Sequence, residues 1–431
     1  MKRARLTNLV IIVTAAFLAF SSTSCENPRK DQGAGGYEWP RWRGPKGDGI
    51  SLETGWNPKA LEDGPKVLWK AEVGIGYSNV AIAGNRLYTM GSSDHTYVYC
   101  LRADNGKVIW KYVCPSQDST QATPTIDGAY LYALVKEGVL LCLSTKNGKL
   151  KWQKDLVAEY GVVKPNYGFA GSPVVAGGLV LLTANTAGIA LDKLTGDKSW
   201  CSERPPDSMR FSDSNGVEYS TPVIYEQEGK RCMIVPSYRG LYSVEIETGK
   251  PVWLYDWEEK YYLFREQIAD PIIFADKLFL VGAGKDYLGS IFLDIRGPEP
   301  KVIWQSKDTY SDLASPVLMD DLLYVCQNDG LAQSGSVRCF DPKTGKLLWE
   351  EKLAERPISL AAVNRQLILL DEKGMLYIAE ASANGFNIIS AGDVLEGAKV
   401  PRRFWTAPVL CNGRIYCREM NAGIICIDAR S

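Results

Sequence analysis

Histidine is nearly missing from this chain. His95 is the single one in 431 residues, so a Ser/His/Asp triad could draw its base from no other position. Its context, "SSDHTY", reads as a hairpin turn, which suits a solvated side chain better than a general base. No pair among the 11 cysteines has C-x-x-C spacing and none stands with histidine at ligand spacing, so no zinc or other metal site is expected. An excess of one charge is also missing, with 49 Lys and Arg against 50 Asp and Glu; without a basic surplus, nucleic acid is not an expected partner. "GAGKDYLG", Gly282 to Gly289, lacks the spacing of a phosphate-binding loop and reads as a turn between two strands. The apolar run Leu9 to Phe20 covers 12 residues, short of the roughly 20 that a spanning helix needs.

What the chain has instead is repetition. "ADNGKVIWK", "TKNGKLKWQ", "KLTGDKSW", "IETGKPVW" and "DPKTGKLLWE" place a turn and then a Trp at Trp110, Trp152, Trp200, Trp253 and Trp349, with Trp304 in a looser copy. Successive Trp positions are 42 to 53 residues apart. Between them lie short apolar runs, clearest in Ala122 to Trp152, where Asp127-Gly128, Glu137-Gly138 and Asn147-Gly148 mark hairpin turns. Most copies open on a small residue and Pro, as in "SPVV", "STPVI", "ADPII", "ASPVL" and "TAPVL". Four short antiparallel strands per unit at this period are the signature of β-propeller blades.

The two ends of the chain set the count. The last copy stops after three strands without a Gly turn or Trp, while "GPKVLWK", Gly64 to Lys70, ends on Trp69 with no strands before it. An N-terminal strand completing the C-terminal blade joins these fragments and removes two open edges. The expectation is all-β: an eight-bladed propeller whose fourth strands carry Trp69, Trp110, Trp152, Trp200, Trp253, Trp304, Trp349 and, in a blade without Trp, Ile389.

The recurrent Gly-turn-Trp resembles the Trp-docking motif of the PQQ-type eight-bladed propellers, a superfamily that holds the quinoprotein dehydrogenases and the BamB-like outer-membrane assembly lipoproteins. The resemblance spans about Gly64 to Ala429 and implies that each Trp packs between blades. It also implies two functional readings. One is a non-catalytic scaffold of the cell envelope, monomeric, binding a protein or peptide partner and needing no cofactor. The other is a PQQ-dependent oxidoreductase, in which PQQ sits on the axis with calcium. Against the second, the chain has no Cys-Cys dipeptide, and no motif matches the calcium-binding Glu, Asn and Asp. No catalytic residue is assigned.

In a propeller the loops before the first strand and between the second and third strands open on one face. Tyr77, Tyr167, Tyr219, Arg265, Arg356, Arg402, Arg403, Phe404 and Trp405 lie in the first set, and Tyr238 and Arg239 in the second. Tyr, Trp and Arg are the residue types that anchor interfaces, so this is the expected binding face.

The N-terminus carries Lys2, Arg3 and Arg5 before the apolar run, then "SSTSC". That run ending at Cys25 resembles a bacterial lipobox, with Ser22 in place of the usual Leu. It implies a signal peptide over 1–24, lipidation at Cys25, a membrane contact through the lipid, and an outer-membrane or periplasmic location. Residues 25–36 read as a flexible tether, 37–63 as an ordered arm rich in aromatics and Gly, and 64–431 as the propeller. Cys100, Cys142, Cys339 and Cys426 share one strand position and read as buried hydrophobes; Cys411 and Cys417, on consecutive strands, are the candidate disulfide.

Overall fold

A computed structural model describes residues 36–202, 217–236, 240–256, 266–282, 289–311, 313–328, 335–395, 403–421 and 423–431. These residues form eight four-stranded antiparallel sheets, and one short parallel pair, Val217–Glu218 with Glu266–Gln267. Blade 2 shows the unit: Thr125–Asp127, Tyr130–Leu134, Val139–Ser144 and Leu150–Asp155. Its two middle strands are apolar almost throughout because both of their faces are covered, whereas the outer strand buries Trp152 among exposed neighbours. The remaining blades begin at Ala81, Val174, Val223, Ile272, Val317, Ile358 and Val409.

Each sheet sends alternate side chains to opposite neighbours. Eight apolar clusters result, one between every consecutive pair of blades, including a cluster that joins blade 8 to blade 1. The ring is therefore closed, and closed as the chain ends suggest. Val67–Ala71 pairs with Gly423–Asp428 in the register Trp69 to Cys426 and Ala71 to Ile424, making blade 8 from both ends of the chain.

The Trp residues are inter-blade fasteners. In six of the seven, the indole N–H reaches a carbonyl in the last turn of the next blade: Trp69 to Ala103 at 3.1 Å, Trp110 to Thr145 at 3.2 Å, Trp152 to Lys193 at 3.2 Å, Trp200 to Ile246 at 2.7 Å, Trp304 to Pro342 at 2.8 Å and Trp349 to Ser382 at 2.7 Å. The Gly of that turn lets the ring approach: a Cβ on Gly148 would lie 2.6 Å from the Trp110 ring, and its φ of +69° already favours glycine. Trp253 departs from the pattern because the next turn, "RGPEP", lacks the Gly at this place; it donates to Tyr225 and Gln227 in its own blade instead.

The shared cysteine position sits within the same device. Tyr88–Cys100–Trp110, Tyr132–Cys142–Trp152, Tyr324–Cys339–Trp349 and Tyr416–Cys426–Trp69 form cross-strand rows. In three of them the Tyr hydroxyl donates to the carbonyl that the Trp also uses, at Thr145, Lys193 and Ala103. The small sulfur lets the two rings converge, and burial pushes the thiols of Cys142, Cys339 and Cys426 up to about 12. All ten described cysteines are free. The expected Cys411–Cys417 bond is thus absent, and the pleat explains it: Cys411 faces the cluster shared with blade 1, Cys417 the cluster shared with blade 7.

Residues 37–63 run along the inner edges of the first strands. Trp39 exchanges two backbone hydrogen bonds with Ile82 of blade 1, Ile126 of blade 2 donates to Pro40, and Ser51 and Gly49 pair with Ala362 of blade 7. Trp39 then joins the cluster between blades 8 and 1, and Trp56 and Leu61 the one between blades 7 and 8. Both seams of the composite blade are reinforced by the same segment. The lack of Trp in blade 7 fits this: the last two strands of blade 8 are not joined by a turn, so an indole there would find no turn carbonyl. Ile389 packs against the cluster holding Trp56 instead.

Glu53 docks this arm on blade 8. Its Oε1 accepts from the Gly413 N–H, while Oε2 is buried without a partner. Burial raises its pKa, and the Gly413 bond only partly offsets this. A folded pKa above the unfolded one means that stability falls as pH rises past the ordinary Glu range. Glu53→Gln keeps the acceptor and removes the charge. It is expected to be more stable than wild type at neutral pH and to lose that advantage near pH 4, as read from urea midpoints across pH.

Candidate functional site on the loop face

Cys25, Tyr238, Arg239, Arg265 and Arg402 lie outside the described residues. Of the others, the fold brings four together where blades 7, 8 and 1 meet. Tyr77, in the connection into blade 1, stacks on Trp405, from the connection into blade 8, with centroids 5.1 Å apart and planes 8° from parallel. The Arg403 guanidinium lies 4.7 Å from the Trp405 ring centroid, a cation–π geometry. Arg403 and Arg356 both face Glu372, at 3.7 and 4.0 Å.

Buried groups fix this stack from below. Glu419 accepts from the backbone N–H of Arg403 at 3.0 Å and of Asn421 at 2.7 Å. Tyr77 donates its hydroxyl to the Met420 sulfur. Arg418 is fully buried and donates to the carbonyls of Glu419 and Gly74, tying blade 8 to the strand that leads into blade 1; burial lowers its pKa to about 10.

The other expected residues fall elsewhere. Phe404 is 1% exposed and packs over Gly374 in the core between blades 7 and 8, so it holds the loop rather than offering a surface. Tyr167, 58% exposed, pairs with the buried Tyr219 at 6.1 Å, near blades 3 and 4 and apart from the first group. Glu372 is the organising residue that a search for aromatic and basic anchors passes over.

A belt of hydrogen bonds runs from blade 1 to blade 6, built from the residue before the opening Pro in blades 2 to 6 and from Asn79 at the same place in blade 1. The N–H of Asn79 donates to Thr123 Oγ1, Thr123 to Ser172 Oγ, Ser172 to Thr221 Oγ1, Thr221 to Asp270 Oδ1 and Asp270 to Ser315 Oγ, all between 2.7 and 3.1 Å. Asp270 is the one acid in this series, and its second oxygen receives the arm. Trp42 Nε1 donates to Asp270 at 2.6 Å, and Arg43 Nε lies 4.0 Å away, its guanidinium also donating to the carbonyls of Asp48 and Pro316. Burial pushes the Asp270 carboxyl above the usual range and Arg43 pulls it back. The signal was visible in "ADPII", where the openers of blades 2, 3, 4 and 6 have Ser or Thr before the Pro.

Trp42 and Arg43 consequently occupy the axis. With Trp39, Ser315 and Trp405 they line a cavity of about 20 Å³, room for one water. Trp405 Nε1, buried without a protein partner, belongs to the same spot.

Comparison with known proteins agrees with this architecture. The chain is 22% identical over 365 residues to the outer membrane protein assembly factor BamB of Yersinia pestis, covering 81% of this chain and 75% of that protein. Among solved structures it superposes on BamB from Moraxella catarrhalis with a TM-score of 0.58 at 16% identity, over 81% of this chain and 94% of that one. It also superposes on a europium-containing methanol dehydrogenase with a TM-score of 0.67 at 13% identity, over 90% and 89%. At such identities the solved structures share the fold alone. The family model described as outer membrane protein assembly factor BamB matches residues 59–163 and 116–332. Those two stretches take in more than half of the chain, which places this protein in the BamB family of PQQ-like propellers.

Proposed function

We propose that the protein is a non-catalytic scaffold of the cell envelope, held to a membrane by a lipid on Cys25, that grips an envelope protein or peptide through the Tyr77–Trp405–Arg403 stack. The observation that carries this reading is the stack itself. A rigid aromatic pair capped by a half-exposed guanidinium, over an axis filled from the other side, offers a surface for a partner rather than a cavity for a substrate. Kinship with an outer membrane protein assembly factor supports the envelope setting.

The dehydrogenase neighbours support a second reading, in which PQQ and calcium would occupy the axis. The described residues do not fit that group. A cofactor of that size needs several hundred Å³ where Trp42, Arg43 and Trp405 leave about 20 Å³, and among the described residues no cluster of three Asp, Glu, His or Cys could hold the metal. A saturable rise in melting temperature on titrating the protein with PQQ and calcium would move the assignment to the oxidoreductase.

Arg403→Ala combined with Trp405→Ala tests the scaffold. Co-purification of the envelope partner is expected to be abolished, with the melting temperature nearly unchanged. If the variant unfolds, Trp405 is core; if it folds and retains its partner, the contact lies on another part of the ring.

A further inference from the structure

Building on the reading of this face as a partner site, we infer that Glu372 stands in for a carboxylate that the partner supplies, so that the pair Arg356 and Arg403 is a receptor for an acidic side chain on an extended peptide segment. Glu372 presents Oε1 toward Arg403 and Oε2 toward Arg356. Both distances exceed a hydrogen bond, and among the described residues neither guanidinium has another acceptor. The arginine side chains are 42% and 44% exposed while that of Glu372 is 12% exposed. Two planar donor forks are thus set around a recessed acid, each side chain a little under half exposed to solvent.

Orientation is already provided. Arg403 sits over the Trp405 ring, which is stacked on Tyr77, so little side-chain freedom remains to be lost on binding. Charge points the same way. The pair exceeds Glu372 by one positive charge, and Glu419, held by the backbone N–H groups of Arg403 and Asn421, interacts electrostatically with the buried Arg418 guanidinium. A planar carboxylate meets a guanidinium fork through two parallel hydrogen bonds, and the ring edges beside it suit the apolar part of a peptide.

The test uses the full chain and two acetylated, amidated tetrapeptides, Gly-Glu-Glu-Gly and Gly-Gln-Gln-Gly, titrated by calorimetry at low salt. The Glu peptide is expected to bind and the Gln peptide not to. Arg356→Gln and Arg403→Gln should each weaken binding by about tenfold, as loss of charged hydrogen bonds does, and Arg403→Lys should fail to restore it. Glu372→Gln should strengthen binding severalfold, because the internal competitor is gone. Binding unchanged in the arginine variants, or weakened in Glu372→Gln at an unchanged melting temperature, overturns the inference; so does inorganic phosphate displacing the peptide at equal concentration, which marks a general anion site. The scaffold reading fails separately. Peptide results as expected, together with a partner that still co-purifies with the Arg403→Ala/Trp405→Ala protein, keep the receptor and remove its assembly role.

Discussion

Asp270→Ala is expected to lower stability by about 3–5 kcal/mol, the cost of leaving one member of a buried pair alone. The change strands the Arg43 guanidinium in the axis and takes the acceptor from both the Trp42 indole and the Thr221 N–H. Asp270→Ser separates the two roles of the residue. A serine hydroxyl is what blades 3 and 6 carry at this place, so the belt bond from Thr221 survives while the arm loses its anchor. Its loss should lie between wild type and the alanine variant. Adding Arg43→Met to Asp270→Ser removes the stranded charge and should recover part of the difference. Chemical denaturation midpoints give all four values; an alanine variant as stable as wild type would show that the axis is held by other contacts.

Loss of the strand Val67–Ala71 is the other large effect. Deleting everything up to Lys70 leaves blade 8 with three strands, an open edge along Gly423–Asp428 and no indole for Ala103. Removal of a single buried Trp costs about 3–5 kcal/mol, so the whole strand should cost at least that, with aggregation through the bare edge. A second deletion ending at Asp63 removes the arm and keeps the strand, and the difference between the two proteins isolates closure from docking. Equal melting temperatures in the two truncated proteins would contradict a structural role for the strand.

The blades were legible because their information is local and repeated. Gly148 before Trp152, or Gly345 before Trp349, states a turn and the indole that follows it within a few residues, and repetition distinguishes the pattern from chance. The pairing of the strand at Trp69 with the C-terminal blade followed from counting what each fragment lacked. The candidate site was legible only in part. Composition marked Tyr77, Arg356, Arg403 and Trp405 as anchors, but which of them meet depends on how far each connection reaches over the axis. Phe404, chemically like its neighbour Trp405, turns inward to cover Gly374, and no period governs that choice. The arm was least legible. Trp42 finds Asp270 across 228 positions, and a contact of that separation leaves no periodic trace.

The composite blade also has a bearing on the order in which the molecule can be made. Val67–Ala71 is synthesised before the seven blades that hold all their own strands, and its partner Gly423–Asp428 after them. Blades 1 to 7 each contain their own four strands and can form as the chain lengthens, but the closing hairpin has a loop of the whole propeller behind it, the kind of distant contact that slows folding. Until Gly423–Asp428 arrives, Trp69 has no sheet to belong to and both flanks of the ring are open. The closed ring is therefore available only to chains that extend through this strand, and a polypeptide stopped before it is an unclosed ring with Val67–Ala71 still unpaired.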